Sequence, residues 1–311
     1  MQRTANPCTP VRFRPQPPLV AKEHTQNKEN MKVGIIGYGF VGKALHNGLN
    51  PDNKVLLIDP KLKTSVSDLR NFCADILFVC APSPMNNNGT QDLSILNEIF
   101  EELFFSKIDS LIILKSTILP DALLNLSSKF PNLVFNPEFL REKHADEDFI
   151  GSNLIVFGGN REYVNKASNF YKNHTKCTCK EHIKTDLVTA SLIKYTINSF
   201  LATKVTFFNE INNIFITSNA EDSWENFIGF LSKDKRIGRS HMSVPGHDGK
   251  LGFGGACLPK DSRALLEFSK IHGQQFDLLN EVIKVNNSIR GQYNVGKRES
   301  DQNIDFLDKK E

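Results

Sequence analysis

Short apolar runs alternate with helix-like stretches from Met31 onward, and this alternation limits the possible folds more than any other feature of the chain. The runs cover residues 32–36, 54–58, 75–80, 110–114, 132–135 and 154–157. Strands that are buried on both faces of a parallel sheet have this nearly continuous apolar pattern. Helix-like stretches separate them, near residues 40–49, 92–105, 121–129 and 161–172. The pattern predicts right-handed βαβ crossovers and an α/β fold with a doubly wound parallel sheet.

The pattern changes after about Lys184. Apolar residues then recur at spacings of three and four, at 193, 197, 201, 205, 208, 211 and 215, which predicts one long helix over Asp186–Ile216. Its other face also carries apolar residues, so we expect more than one side to be buried. Further helices are predicted over residues 224–231, 259–272 and 275–290. The predicted organisation is a disordered tail (1–30), a nucleotide-binding domain (31–184), a helical second domain (185–291) and a polar C-terminal tail (292–311).

Composition excludes several classes of protein. Five of the fourteen prolines lie in residues 1–30, which have few large apolar side chains and therefore read as disordered. A plain tail is the first interpretation, and a mitochondrial or plastid address is the alternative. A net charge of +3 and the lack of a long apolar run argue against nucleic acid and membrane as partners. Six scattered cysteines form no disulfide framework, so we expect reduced thiols and a cytoplasmic protein.

A glycine loop follows the first predicted strand. It reads Gly37-Tyr38-Gly39-Phe40-Val41-Gly42 and precedes a predicted helix, which is the arrangement of the Rossmann dinucleotide fingerprint. The glycines allow a tight turn, close approach of a pyrophosphate and close packing of helix on strand. Asp59 ends the second strand, where a carboxylate accepts hydrogen bonds from a ribose and repels a 2′-phosphate. The loop therefore predicts NAD rather than NADP as the cofactor.

A second glycine-rich stretch ends in a cysteine. Six glycines lie between residues 238 and 255, and the stretch Gly252–Asp261 reads GFGGACLPKD. Pro259 suits the first turn of the following helix, so Cys257 is predicted just before a helix N-terminus. The helix dipole and Lys260 would both favour the thiolate, the nucleophilic form. Asp261 is close enough to orient a water or an ammonium group. The alternative is that Cys257 is a small buried side chain with no chemical role. The flexible glycines beside Cys257 favour the functional interpretation.

The stretch Gly252–Asp261 closely resembles the catalytic signature of the UDP-glucose/GDP-mannose dehydrogenase family. Other segments resemble motifs of the same family in the same order along residues 31–290. They are Pro82-Ser83-Pro84, Lys115-Ser116-Thr117, Asn136–Glu142 with Asp148-Phe149, Lys194–Lys204 and Arg236-Ile237-Gly238. The joint occurrence of these motifs is specific.

The resemblance implies an NAD-dependent oxidation of the C6 alcohol of a UDP-sugar to a carboxylate, with UDP-glucose as the first candidate. Cys257 would trap the aldehyde as a thiohemiacetal, and the second oxidation would leave a thioester for hydrolysis. Lys194 and Asn198 would share a helix face and hold oxyanion charge. Asp261 would position Lys194 and water, and Glu138 would be the general base.

The resemblance also implies binding residues. Cofactor contacts are expected from the glycine loop with Asp59, and from Pro82, Ser83, Thr117, Glu142 and Lys260. Substrate contacts are expected from Phe139, Leu140, Arg141, Lys194, Asn198, Phe253 and Gly254. Arg236 would reach the substrate of a partner subunit in a homodimer.

The match with the family is incomplete. The family pattern continues into a further α/β domain that closes over the nucleotide base, so this chain is expected to be a short form without it. Two alternatives stay open: a related nucleotide-sugar dehydrogenase acting on GDP-mannose or a UDP-N-acetylhexosamine, or a non-catalytic NAD-binding partner of a longer enzyme. A polar loop with His174, Cys177, Cys179 and His182 has spacing too short for a usual structural zinc site, and no metal is predicted.

Overall fold

A computed structural model describes residues 30–307. It contains a seven-stranded sheet with strands β1 Lys32–Ile36, β2 Lys54–Ile58, β3 Ile76–Val79, β4 Leu111–Leu114, β5 Leu133–Phe135, β6 Val156–Gly159 and β7 Ile183–Thr185. The spatial order is β2-β1-β3-β4-β5-β6-β7. All neighbouring strands are parallel except β5 and β6. The predicted doubly wound α/β fold is therefore confirmed, with one antiparallel pair and one additional edge strand, β7.

The helices lie in the connections between strands and after the sheet. They are α1 Phe40–Gly48, α2 Leu69–Phe72, α3 Ser94–Ser106, α4 Pro120–Lys129, α5 Ala145–Ile150, α6 Arg161–His174, α7 Leu187–Thr217, α8 Trp224–Leu231, α9 Leu258–Ile271, α10 Asp277–Arg290 and α11 Lys297–Ser300. Sequence patterns predicted most of these bounds within three residues. They missed the short helices α2, α5 and α11, which have too few residues for a helical period.

The strands pack on both faces, as their apolar runs predicted. Along β3, Ile76 and Phe78 face one hydrophobic core while Leu77 and Val79 face the other. This alternation follows from the two-residue period of a strand. The antiparallel β6 has a local cause: the chain from residue 136 to 155 contains only the short helix α5, which packs on α1 instead of crossing the sheet. A strand that starts near the edge where the last one ended runs in the opposite direction.

Helix α7 connects the sheet to the helical region. Its first turn is capped by the Asp186 carboxylate, which accepts a hydrogen bond from the Thr189 backbone N–H at 2.9 Å. It lies tightly on β6, where a side chain at Gly158 would meet the Ala190 Cβ at 2.5 Å. It also packs on α4, α9 and α10. The domain boundary predicted between residues 184 and 185 falls within β7, just ahead of this helix, and stays a prediction.

The chain after α10 folds back onto the molecule. Ile304 and Phe306 are buried against Met85, which follows β3. Glu299 in α11 is also buried. Residues 292–307 were predicted as a polar tail, and their apolar anchors were too few to produce a pattern. The predicted N-terminal tail lies outside the described residues, except for Asn30.

Candidate active site

The glycine loop has the geometry that its sequence predicted. Gly37 has φ +90°, and a Cβ there would meet the Cys80 carbonyl oxygen at 2.7 Å. A Cβ at Gly42 would lie 2.1 Å from the Gly37 carbonyl oxygen, so only glycine allows α1 to begin this close to β1. A Cβ at Gly39 would meet no atom within 4 Å. Space is therefore open before the N-terminus of α1, where a dinucleotide pyrophosphate binds in this kind of loop.

Asp59 lies beside this opening. Its Oδ2 accepts a hydrogen bond from the Tyr38 backbone N–H at 2.7 Å, and its Oδ1 accepts one from the Lys61 N–H at 2.9 Å. The carboxylate is only partly buried, so it can still accept a hydrogen bond from a ribose. Phe40 and Val41 form the start of α1. These residues fit NAD, which supplies a hydride acceptor when it is bound.

The turns after β3 and β4 are connected at the same edge of the sheet. The Ser83 hydroxyl donates to the Thr117 carbonyl oxygen at 2.8 Å, and Gln91 donates to the same oxygen at 2.6 Å. Pro82 is exposed. These contacts place the predicted cofactor residues Pro82, Ser83 and Thr117 at the carboxyl edge of the parallel strands, where α/β sheets bind their ligands.

Lys194 and Glu138 form a buried ion pair across two elements. The Lys194 Nζ lies 2.6 Å from the Glu138 carbonyl oxygen and 3.3 Å from its Oε1. Both side chains are less than a tenth exposed. Burial opposes the charge on Lys194, but Glu138, Asp261 and Cys257 together outweigh it and raise the pKa of the ammonium group. The lysine is therefore held as a cation, the form that stabilises an oxyanion.

Asp261 binds two neighbours, and Lys194 is not one of them. Its Oδ2 accepts a hydrogen bond from the Asn198 Nδ2 at 2.6 Å, and its Oδ1 from the Lys260 Nζ at 2.5 Å. All three side chains are buried. Asp261 was predicted to position Lys194, whereas in the structure Glu138 holds Lys194 and Asp261 orients Asn198. Lys194 and Asn198 lie one turn apart on α7, so the two pairs lie side by side.

Cys257 directly precedes α9, as predicted. Burial and the Glu138 carboxylate raise the pKa of its thiol to about 11, although Lys194 and Lys260 act in the opposite direction. Lys260 therefore favours the thiolate, as expected, but burial and Glu138 outweigh it and the protonated thiol is favoured overall. Lys260 is engaged by Asp261, which weakens its effect on the sulfur.

The structure places the predicted substrate residues in two groups. Phe139 and Leu140 adjoin the Lys194–Glu138 pair: the Lys194 Nζ lies 5.3 Å from the Phe139 ring centroid, and the Leu140 N–H donates to the Glu138 Oε2 at 2.7 Å. Arg141 extends outward and pairs with Asp148. Arg236 is almost fully exposed and pairs with Asp234. Arg236 thus makes no contact with the cysteine loop of its own chain among the interactions of the described residues.

The cysteine loop, residues 248–257, is fixed by side chains from neighbouring helices. The Asn286 side chain exchanges two hydrogen bonds with the Phe253 backbone, and the Asn209 Oδ1 accepts from the Gly252 N–H. Gly254 packs against the Arg290 guanidinium so closely that a Cβ would lie 1.9 Å from its Nη2. Backbone amides that are satisfied by buried side chains give the loop a single conformation.

Sequence analysis missed several of these supporting residues. The Lys115 Nζ is buried after β4 and donates to the Asn136 Oδ1 at 2.8 Å, two residues before Glu138. The Tyr171 hydroxyl donates to the same oxygen at 2.6 Å. The signal in the sequence that could have identified Lys115 was its position directly after an apolar strand. Arg290 gave none, because an arginine at a helix C-terminus usually lies in solvent.

The cysteines and histidines of residues 174–182 bond to neighbouring groups of the protein. Within residues 30–307, no three His, Cys, Asp or Glu side chains are grouped as a metal site. The Cys177 thiol donates to the Phe149 carbonyl oxygen, and the His182 Nδ1 lies 2.9 Å from the Ser168 hydroxyl. The five described cysteines, Cys73, Cys80, Cys177, Cys179 and Cys257, are all free. None of the helices described is long and apolar enough to span a bilayer.

Comparisons with known proteins agree with this geometry. Residues 61–175 match the model of the NAD binding domain of the UDP-glucose/GDP-mannose dehydrogenase family, and residues 188–288 match the model of its central domain. The chain belongs to this family. The NAD-binding match begins after the glycine loop, so the structure is what supports the role of residues 37–42.

Curated relatives of this chain belong to the same family of dehydrogenases. UDP-glucose 6-dehydrogenase of Rickettsia bellii is 36% identical over 228 residues, which cover 70% of this chain and 50% of that protein. The TuaD enzyme of Bacillus subtilis, also named UDP-glucose 6-dehydrogenase, is 30% identical, with 83% and 63% covered. The chain thus spans about half the length of the first curated relatives.

Solved structures share the fold. A UDP-glucose dehydrogenase from Pyrobaculum islandicum aligns with a TM-score of 0.70 at 22% identity, covering 85% of this chain and 69% of that one. A GDP-mannose dehydrogenase from Pseudomonas aeruginosa aligns with a TM-score of 0.58 at 22% identity, covering 83% and 69%.

Proposed function

We propose that this chain is an NAD-dependent nucleotide-sugar dehydrogenase that oxidises the C6 alcohol of UDP-glucose to the carboxylate. The observation that carries the proposal is the buried group of side chains from distant segments beside Cys257, in which Glu138 pairs with Lys194 and Asp261 binds Asn198 and Lys260. The charges of Glu138, Lys194, Asp261 and Lys260 all act on the pKa of the Cys257 thiol. The glycine loop and Asp59 would hold NAD, which would supply the hydride acceptor for both oxidations. In the first oxidation the proton of the C6 hydroxyl would pass to water. The UDP-glucose 6-dehydrogenase name of the relatives supports the substrate.

The first role of the residues is to trap the aldehyde. The Cys257 sulfur adds to the aldehyde carbon, and the thiol proton passes to the aldehyde oxygen, which gives a thiohemiacetal. The raised pKa keeps this proton on the sulfur until the carbonyl arrives. The Lys194 ammonium and the Asn198 amide, one turn apart on α7, stabilise the negative charge that develops on that oxygen.

The second role is hydrolysis. Transfer of a hydride from the thiohemiacetal carbon to the hydride acceptor, with release of the hydroxyl proton to water, would leave a thioester on Cys257. Glu138 accepts a proton from the attacking water, and the cysteine sulfur leaves and is reprotonated. Glu138 is suited to this role because its Oε1 adjoins Lys194 while its Oε2 is oriented by the Leu140 N–H. The products are the carboxylate and the free enzyme.

The proposed active unit is a homodimer with a shared site. Leu192, Phe200, Phe207 and Ile214 leave an apolar stripe exposed on α7, and each of the last three is more than half exposed. An apolar patch of this kind is unusual on a monomer, and pairing across a two-fold axis would cover it. Arg236 extends into solvent, which leaves its guanidinium available to the substrate of a partner subunit. A cytoplasmic location stays a prediction.

The test is the stoichiometry of NADH with a panel of UDP-glucose, UDP-N-acetylhexosamines and GDP-mannose. We expect two NADH per UDP-glucose, and Cys257→Ser should bind substrate without completing the oxidation. If only another sugar yields two NADH, that sugar would replace UDP-glucose as the proposed substrate. NAD binding without turnover of any sugar would favour a non-catalytic partner and overturn the proposal.

A further inference from the structure

The last described helix, α11, makes ion pairs with two loops of the site through adjacent residues. The Arg298 guanidinium pairs with the Glu142 carboxylate, which belongs to the loop that carries Glu138. The next residue, Glu299, lies 3.1 Å from the Arg290 Nη2 through its Oε1. The same oxygen accepts a hydrogen bond from the Gly255 backbone N–H at 3.0 Å, two residues before Cys257.

The Glu299 contacts are buried and charged. The Arg290 side chain is 1% exposed and the Glu299 side chain 8%. Arg290 also pairs with Asp248 at 2.8 Å and lies against Gly254, so it contacts both ends of the cysteine loop. Breaking a buried pair leaves an uncompensated charge, which makes such contacts strongly dependent on each partner. Glu299 is therefore one of the buried side chains that hold this loop, together with Asn209 and Asn286.

The segment that carries these residues is also fixed to the cofactor side of the site. The Met85 N–H donates to the Gln302 carbonyl oxygen at 3.1 Å, and the Asn303 Nδ2 donates to the Met85 carbonyl oxygen at 3.1 Å. Ile304 and Phe306 pack on Met85. Met85 directly follows the Pro82-Ser83-Pro84 turn, so residues 297–307 contact the cofactor turn, the Glu142 loop and the cysteine loop together.

We propose that Arg298 and Glu299 are positioning residues that hold the Glu142 loop and the cysteine loop at a fixed separation around Cys257. The inference rests on the function proposed above in that Cys257 is taken as the nucleophile. It predicts that α11 determines how accessible Cys257 is, even though neither residue bonds to the sulfur. The C-terminal segment is then part of the active site.

The test measures alkylation of Cys257 by iodoacetamide in the full chain, without sugar or NAD. Peptide mass spectrometry follows each cysteine separately, at pH values from 7 to 10.5. Wild-type Cys257 should react slowly because it is partly buried and its thiol pKa is raised to about 11. Glu299→Ala should free the Gly255 amide and Arg290, and we expect alkylation of Cys257 at pH 8 to be at least tenfold faster, with a pH profile moved to lower pH.

Two variants and two internal controls make the result specific. Arg298→Ala should raise the rate at least threefold, and Glu299→Gln, which keeps an oxygen acceptor, should fall between wild type and Glu299→Ala. Lys297→Ala is the matched control, since this exposed side chain makes no ion pair among the residues that the structure describes. The exposed Cys73 and the buried Cys177 should react as in the wild type.

The outcomes are separable. Rates for Cys257 within twofold of the wild type in both Glu299→Ala and Arg298→Ala would overturn the proposal. If Glu299→Ala unfolds, Cys177 will react as well, and Arg298→Ala then decides, because its side chain is half exposed and its loss leaves the core intact. The reaction requires no substrate, so a chain that oxidises no sugar would refute the proposed function without changing this result.

Discussion

At the residue scale, the site depends on charges that are buried in pairs. Lys194 stays cationic because Glu138 adjoins it, and Asp261 stays buried because Asn198 and Lys260 bind both of its oxygens. A buried charge without such a partner would cost several kcal/mol, on the order given by measurements of broken pairs. Each substitution in this group is therefore expected to affect the chemistry and the neighbouring side chain together.

Glu138→Gln should separate the two halves of the reaction. An amide accepts no proton from water, so hydrolysis should slow by about 10²–10⁴-fold while the thioester still forms. Intact-mass spectrometry after mixing with NAD and UDP-glucose should show an adduct, and digestion should place it on Cys257. An unchanged rate with no adduct would remove Glu138 from the mechanism. Glu147→Gln, an exposed carboxylate nearby in the sequence, is the control.

Asp59→Ala should relax the choice of cofactor. Its carboxylate lies beside the glycine loop, where it repels a 2′-phosphate. We expect the wild type to prefer NAD and the variant to lose affinity for NAD while NADP binding improves, as measured by the fluorescence of NADH and NADPH titrations. Comparable binding of both cofactors by the wild type would contradict the assignment of Asp59.

At the element scale, α7 has two tasks on its two sides. Its inner side carries Lys194 and Asn198 and packs on the sheet, α9 and α10. Its outer side presents apolar residues at seven-residue intervals, 200, 207 and 214, which lie on one face of a helix. A helix with one buried polar site and one exposed apolar stripe can couple assembly to catalysis.

Phe207→Glu should disrupt the proposed dimer without unfolding the subunit. The ring is 55% exposed, so a charge there should change the free energy of unfolding by only about 0.5 kcal/mol, whereas it would be buried unpaired in a dimer. Light scattering should show a dimer for the wild type and a monomer for the variant. A monomeric wild type that is fully active would refute the shared site.

Complementation tests the role of Arg236. Arg236→Ala should weaken substrate binding, and Cys257→Ser should abolish complete oxidation. In a mixed dimer, one site combines an intact cysteine with an intact arginine, so activity should return on mixing. No recovery between dimers that exchange subunits would contradict the crossing of Arg236.

At the scale of the whole molecule, the C-terminal segment is attached by carboxylates with lowered pKa values. Burial opposes the ionisation of Glu299 and Asp248. Hydrogen bonds from the Gly255 and Lys250 N–H groups and the charge of Arg290 outweigh this effect. The pKa of Glu299 therefore lies below its ordinary value of 4.5, and that of Asp248 below its ordinary value of 3.8. A pKa that is depressed in the folded state contributes stability above the unfolded value. That contribution is lost as the pH falls through the folded value.

The free energy of unfolding should therefore fall as the pH drops below about 4.5 and through the lowered pKa values of these carboxylates. Glu299→Gln should lower it by about 1–3 kcal/mol at pH 6 and by less at an acidic pH below the folded pKa, because the wild-type carboxylate is then protonated too. Urea titrations at the two pH values measure both effects. Asp301→Asn is the control, an exposed carboxylate two residues along the chain. An equal loss at both pH values would mean that Glu299 acts by shape and not by charge.

The sequence by itself determined the fold class, the strand and helix pattern, the glycine loop and the position of Cys257 before a helix. These are local properties: an apolar run, a helical period or a glycine that is required by a turn needs no knowledge of the rest of the chain. The resemblance of short motifs to those of the family predicted the site residues. This was possible because each motif is a continuous stretch of sequence.

The tertiary structure alone decided which charges meet. Glu138 and Lys194 are 56 residues apart, Asn198 and Asp261 are 63 apart, and Arg298 reaches Glu142 from the far end of the chain. It reversed the expected pKa shift of Cys257, because desolvation depends on every group packed around the sulfur. It also placed residues 297–307 against the Glu142 loop and the cysteine loop, which the sequence did not predict, since one half-exposed arginine, one buried carboxylate and two apolar anchors leave no periodic signal in a polar segment.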